Sequence, residues 1–174
     1  MIVRKKHTVL VVHNYYQTPG GEDTVVANEI DLLQKNGHKV FLYSRNNNEF
    51  NEMNVLKKIF TPINTIFSIK TFLEVRALIK KFNIDVIHVH NTLSLISPSV
   101  YYAGFSRKTP IVQTIHNFRL LCPAATFYRD EKICRDCVVK GLRCSIKHAC
   151  YRKSRIQTFC IALTLKIHRL LGTY

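Results

Sequence analysis

The chain has 174 residues, 47% of them hydrophobic, with 26 Lys and Arg against 11 Asp and Glu, a formal charge of +15. That length and apolar share exclude a disordered chain and suit a domain with its own core. No stretch reaches the roughly 20 apolar residues that span a bilayer. The charge predicts an acidic partner: a phosphate-bearing ligand, an anionic membrane surface or nucleic acid.

The start, Met1 to His7, is basic and lacks a cleavage site, so the expected location is cytoplasmic, extending to the inner face of a membrane. Thr8-Val9-Leu10-Val11-Val12 is apolar and β-branched, as in a strand covered on both faces. A loop with Pro19-Gly20-Gly21 follows. From Thr24 the apolar residues Val25, Val26, Ile30, Leu32 and Leu33 have helical spacing, and Asn36-Gly37 should stop the helix. Val40–Tyr43 reads as a second strand, giving a βαβ unit with parallel strands.

Residues 45–52 read as a loop. Residues 53–70 interleave bulky apolar side chains with lysines around Pro62, which predicts a short helix before the proline and a new start near it. Two readings stand for this stretch. One is an excursion that packs on the core; the other is a basic amphipathic surface for a membrane. Residues 71–82 predict a helix burying Phe72, Val75, Leu78 and Ile79. Residues 84–91 predict a third strand. A helix should then run to Phe105 after a Ser97-Pro98 start, followed by a fourth strand over 110–117. Alternating strands and helices predict an α/β fold: a Rossmann-like parallel sheet with helices on both faces. Beyond it comes a cysteine-rich arm. The expected divisions are 1–121 for the sheet domain, 122–153 for a Cys-rich basic insertion and 154–174 for a helix opening a further half.

The Gly20-Gly21 pair lets backbone amides approach a phosphate, although glycine pairs are also ordinary turn formers. Glu22 and Asp23 suit the first turn of a helix. His88, His90 and His116 fall near strand ends, where either a structural or a ligand-binding histidine is at home. Cys134, Cys137, Cys144 and Cys150, with Cys122 upstream, read as metal ligands sooner than as disulfides. Four thiolates would suit zinc, with Cys122 or His148 as substitutes; an iron–sulfur cluster or unliganded thiols are the other readings. Cys160 lies at core spacing in the last helix.

The succession PGG-E/D after the first strand, DVIHVHN over 85–91 and PIVQTIHNFRLLCP over 110–123 resembles the amino-terminal domain of retaining, GT-B-fold glycosyltransferases of family 4. The resemblance implies an acceptor-side domain, facing a second domain that holds a nucleotide-diphosphate sugar. It implies that Gly20 and Gly21 face the donor diphosphate and that His116, in Thr114-Ile115-His116, contacts the transferred sugar. It places His90 and Asn91 on the side of a glycan or lipid-linked acceptor. Such enzymes also carry an E-x7-E segment in a carboxyl-terminal domain, and none occurs in these 174 residues. The expectation is half an enzyme, inactive without a separate donor-binding domain. The competing readings are a basic nucleic-acid-binding protein with a zinc-type cysteine cluster, which the sheet pattern disfavours, and a non-functional fragment.

Overall fold

A computed structural model describes residues 5–174. Residues 1–4 of the basic start lie outside the described residues, as do the side chains of Lys57 and Lys58. The chain divides into two compact units, one ending at Thr114 and the other spanning Ile115–Tyr174.

The first unit contains β1 (Thr8–Tyr15), α1 (Gly21–Lys35), β2 (Lys39–Asn46), α2 (Glu49–Glu52), α3 (Val55–Ile66), α4 (Ile69–Phe82), β3 (Val86–Asn91), α5 (Ser99–Ser106) and β4 (Ile111–Gln113). The four strands form one parallel sheet in the order β2-β1-β3-β4. β1 lies inside it, and Leu10, Val11 and Val12 are fully buried, as a run apolar at every position requires. Leu10, Val12, Ile87 and Val89 pack with Val75 and Ile79 of α4 and Val100 and Ala103 of α5. Val9 and Val11 pack on the opposite face with Val26 of α1. The expected α/β sheet with helices on both faces is what forms.

Helix ends follow local chemistry. Ser68 caps α4 by accepting the Thr71 N–H, and Asn83 ends it in the left-handed conformation at φ 49°. Ser97 Oγ accepts the Ser99 N–H, one position before the proline that leads into α5. At Gly104 a Cβ would stand 2.7 Å from Ile111 Cδ1 and 3.0 Å from Ile87 Cδ1, so a larger residue would make these side chains shift.

Three expectations change. The polar 45–52 segment contains α2, nucleated where Glu49 accepts from both the Arg45 guanidinium and the Asn46 N–H. α3 runs through Pro62 instead of breaking there, giving up one backbone donor. β4 covers only three residues, because it has one neighbour, β3, and its ladder ends near Val89.

The second unit holds a hairpin of β5 (Tyr128–Arg129) and β6 (Lys132–Ile133), then α6 (Asp136–Val139), α7 (Arg143–Lys147) and α8 (Arg155–Leu170). Ser154 caps α8 by accepting the Gln157 N–H. α8 buries Thr158, Ile161, Ala162, Leu165 and His168, whereas Ile156, Phe159 and Leu170 are exposed. The helical spacing of Ile156, Phe159, Cys160, Leu163, Ile167 and Leu170 thus marks a stripe that this unit only half buries.

Candidate functional site

β1 lies beside both β2 and β3, so the chain leaves it in opposite directions on successive crossovers. In an open parallel sheet that reversal leaves a crevice at the carboxyl ends of the two strands, where ligands bind. The residues there are His13 and Asn14 of β1, the Gly20-Gly21 loop, and His90 and Asn91 of β3.

Hydrogen bonds hold this rim. Asn91 Nδ2 donates to the Asn14 carbonyl at 2.8 Å and to Glu22 Oε1 at 3.2 Å, tying β3 to the first turn of α1. Asn14, itself buried, donates to Asn47 Oδ1 and accepts the Leu95 N–H. His13 is fully buried with Nε2 2.7 Å from Asp23 Oδ1, and the other Asp23 oxygen accepts the Gly20 N–H at 2.9 Å. Asp23 thus does more than complement a helix dipole: it fixes the glycine loop to β1.

Gly20 is extended, at φ −132° and ψ 176°, a conformation open to any residue. A Cβ at Gly20 or Gly21 would meet nothing within 4 Å. Internal packing therefore does not require either glycine. Their bare backbone borders open space at a helix N-terminus, which suits an anionic ligand.

His90 lies deeper than a rim residue. The β1–β3 register slips between Val12 and His13, so His90 is the extra residue of a bulge. Its side chain is fully buried, with Nε2 3.4 Å from Glu29 Oε2 of α1; His88 Nε2 is 3.5 Å from the same oxygen. Beside α2 and α3, an open cleft of about 560 Å³ is lined by Arg45, Glu49, Met53, Phe60, Asn64 and Lys70, among others.

His116 is partly buried and belongs to the second unit. The cysteines of that unit are all free. Burial pushes the Cys137 thiol up to about 11, helped by Cys122 and Cys150. Burial also raises Cys150, with Cys122 and Cys134 contributing and Arg129 opposing. These thiols are neighbours, but among the described residues no three cysteine sulfurs lie within 4.8 Å of one another. Among the described residues, two groups of three have every ligand atom within 4.8 Å of the others: Glu29–His88–His90 and His13–Glu22–Asp23.

Sequence reasoning overlooked His13, Asn14, Glu29 and Asn47. The signal for His13 and Asn14 is a polar pair directly after an apolar central strand, at the end where ligands bind. Glu29 and Asn47 carry no local signal.

A parallel α/β sheet with a glycine loop at its switch point defines a Rossmann-like ligand-binding domain. The profile of Glycosyltransferase Family 4 matches residues 19–137, more than half of the chain. The chain belongs to that family, through a domain of the amino-terminal, acceptor-side type. No curated protein and no solved structure matches it.

Proposed function

We propose that this domain forms the acceptor side of a retaining glycosyltransferase that moves a sugar from a nucleotide-diphosphate donor to a glycan or lipid-linked acceptor. Family membership over 19–137 carries the reading. The open space beside the Gly20-Gly21 loop supports it: Asp23 holds the Gly20 N–H, and the amides that follow at the helix start can stabilise a diphosphate without reorganising. In this reading Asn91 lines the acceptor side and positions the first turn of α1. His90 acts from beneath, and His116 meets the transferred sugar. A carboxyl-terminal donor-binding domain, on this or another chain, completes the enzyme.

An anionic membrane surface fits α3. Val55, Leu56, Phe60 and Ile63 are exposed and fall within an arc of about 140° at about 100° per residue. Phe67, by contrast, packs against Phe72 and Tyr102, so it is withheld from a bilayer, while Ile69 is exposed. No helix among the described residues is long and apolar enough to cross a membrane. The net charge of +15 favours surface contact with acidic lipid.

For the arm the reading is a structural zinc on Cys134, Cys137, Cys144 and Cys150, with Cys122 or His148 able to replace one; no three of these sulfurs lie within 4.8 Å of one another, so the ion would have to draw them together. Such an ion would supply folding free energy to a segment with few apolar residues.

Titration of isotope-labelled protein with nucleotide sugars, pyrophosphate and anionic vesicles tests the functional reading. Nucleotide sugars or pyrophosphate should shift the amide resonances of Gly20, Gly21 and Glu22. Vesicles should broaden α3, less so in a Phe60→Ser, Ile63→Ser variant and at high salt. Silence of the glycine loop towards every phosphate ligand, with salt-sensitive binding of nucleic acid instead, would overturn it in favour of a nucleic-acid-binding protein.

A further inference from the structure

We propose that Glu29, His88 and His90 form a three-ligand site for a divalent first-row transition ion, with zinc best suited to the spacing. The site lies beneath the rim and is independent of the thiols of the arm.

The placement begins with strand periodicity. Ile87 and Val89 face one core, so His88 and His90, two residues apart, face the other side, beneath α1. Val86, on that same side, packs against Val9, Val11 and Val26. The apolar layer thus gives way to two imidazoles, with ring centroids 4.3 Å apart. Glu29 reaches them from α1, three residues beyond buried Val26.

The distances then distinguish an ion site from an ordinary ion pair. Glu29 Oε2 stands 3.5 and 3.4 Å from the two Nε2 atoms. Good N–H···O bonds measure about 2.7–3.2 Å, and this buried oxygen makes none. Two ligands each about 2.1 Å from a tetrahedral zinc lie about 3.4 Å apart. In the same sheet the His13–Asp23 pair closes to 2.7 Å, an ordinary hydrogen bond. The spacing at Glu29 is what a small ion among three donors would leave.

Two imidazoles and one carboxylate suit zinc and its neighbours, and three protein ligands leave a fourth position for water. His88 Nε2 also lies 2.8 Å from the Thr114 hydroxyl, a bond that ligation would exchange for the ion. Glu29, with a third of its side chain exposed, is the entry side; the imidazoles of His90 and His88 are 0% and 16% exposed. A bound ion would clamp α1 to β3.

Cobalt and zinc titration of the full chain, purified in chelator, separates this site from the cysteines. Cobalt on thiolates produces sulfur-to-metal charge-transfer absorption, whereas cobalt on Glu29, His88 and His90 does not. The expected result is one equivalent bound without that absorption, with affinity lowered at least about 10–100-fold in Glu29→Gln and in His88→Gln. Cys137→Ser should leave this equivalent in place. In unaltered protein, zinc should shift the ring nitrogens of His88 and His90 and leave the surface histidine His38 unmoved. Absence of a thiolate-free equivalent, its retention in both variants, or unmoved His88 and His90 resonances would overturn the proposal.

Discussion

The two units of this chain are held by different means. In the first, β1 buries Leu10, Val11 and Val12 completely, and apolar layers cover both faces of the sheet. Its described non-glycine residues with left-handed backbone are Asn83, Ser97 and Lys108. The second unit is about half as long yet has seven: Ala125, Phe127, Asp130, Glu131, Ala149, Arg152 and Lys153. Each such residue costs on the order of 1 kcal/mol. A segment that turns this often and buries little must draw on other contacts. Candidates are the neighbouring thiols, Arg129 between Asp130 and Asp136, and Arg119 stacked on Tyr151 at 5.1 Å. One unit is organised by the hydrophobic effect; the other buries fewer apolar side chains and adds specific polar contacts.

The largest effect should come from the sheet core. Ile87 is fully buried and lies under Gly104, so Ile87→Ala should destabilise the first unit by about 2–5 kcal/mol. Thermal unfolding followed by circular dichroism should show the main transition falling. If resonances of the second unit melt in step with it, the two units fold as one and the comparison fails. Next in size is the arm. Cys137→Ser should remove about one thiolate-bound zinc and speed proteolysis within 122–153 several-fold, with the sheet transition unchanged. An arm equally resistant without metal would mean that packing alone holds it.

What could be read in the sequence follows the same division. Strands β1, β2 and β3 and helices α1 and α4 were legible because burial imposes periodicity, and the buried face of α4 is the one its spacing predicts. α3 was half legible: its amphipathic pattern is plain, but the pattern does not tell a core face from an exposed one. Only the structure puts Phe60 outside and packs Phe67. In the second unit periodicity misled, since α8 buries Thr158 and His168 and exposes Phe159. At the rim, Gly20, Gly21 and Asn91 could be found from motif order. The partners that position the rim lie far apart in sequence: 10 residues for His13–Asp23, 77 for Asn14–Asn91 and 81 for Asn14–Leu95. Contacts of that kind leave no pattern in one sequence.

The smallest effect expected is a response to acid, and it compares the polar contacts of the two units directly. In the first unit, the hydrogen bond from Arg45 holds the Glu49 carboxyl below its usual 4.5, and burial opposes this. In the second, hydrogen bonds from Lys140 and then Arg129 hold Asp136 below 3.8. A carboxylate with a depressed folded-state pKa stabilises the fold fully above its unfolded pKa. That contribution is lost as pH falls through the folded value. For Glu49 it is therefore complete above about pH 4.5 and declines below. With 37% of its side chain exposed, solvent screening limits the contribution to about 0.2–1 kcal/mol. Glu49→Gln should thus lower the sheet transition slightly at pH 6, and the difference from wild type should shrink as pH falls below 4.5. Asp136→Asn should lower protease resistance of the arm at pH 6 while leaving the sheet transition in place. If Glu49→Gln costs the same at pH 3 as at pH 6, the Arg45 pair contributes through packing instead of charge. If Asp136→Asn leaves the arm unchanged at pH 6, the thiols alone set its order.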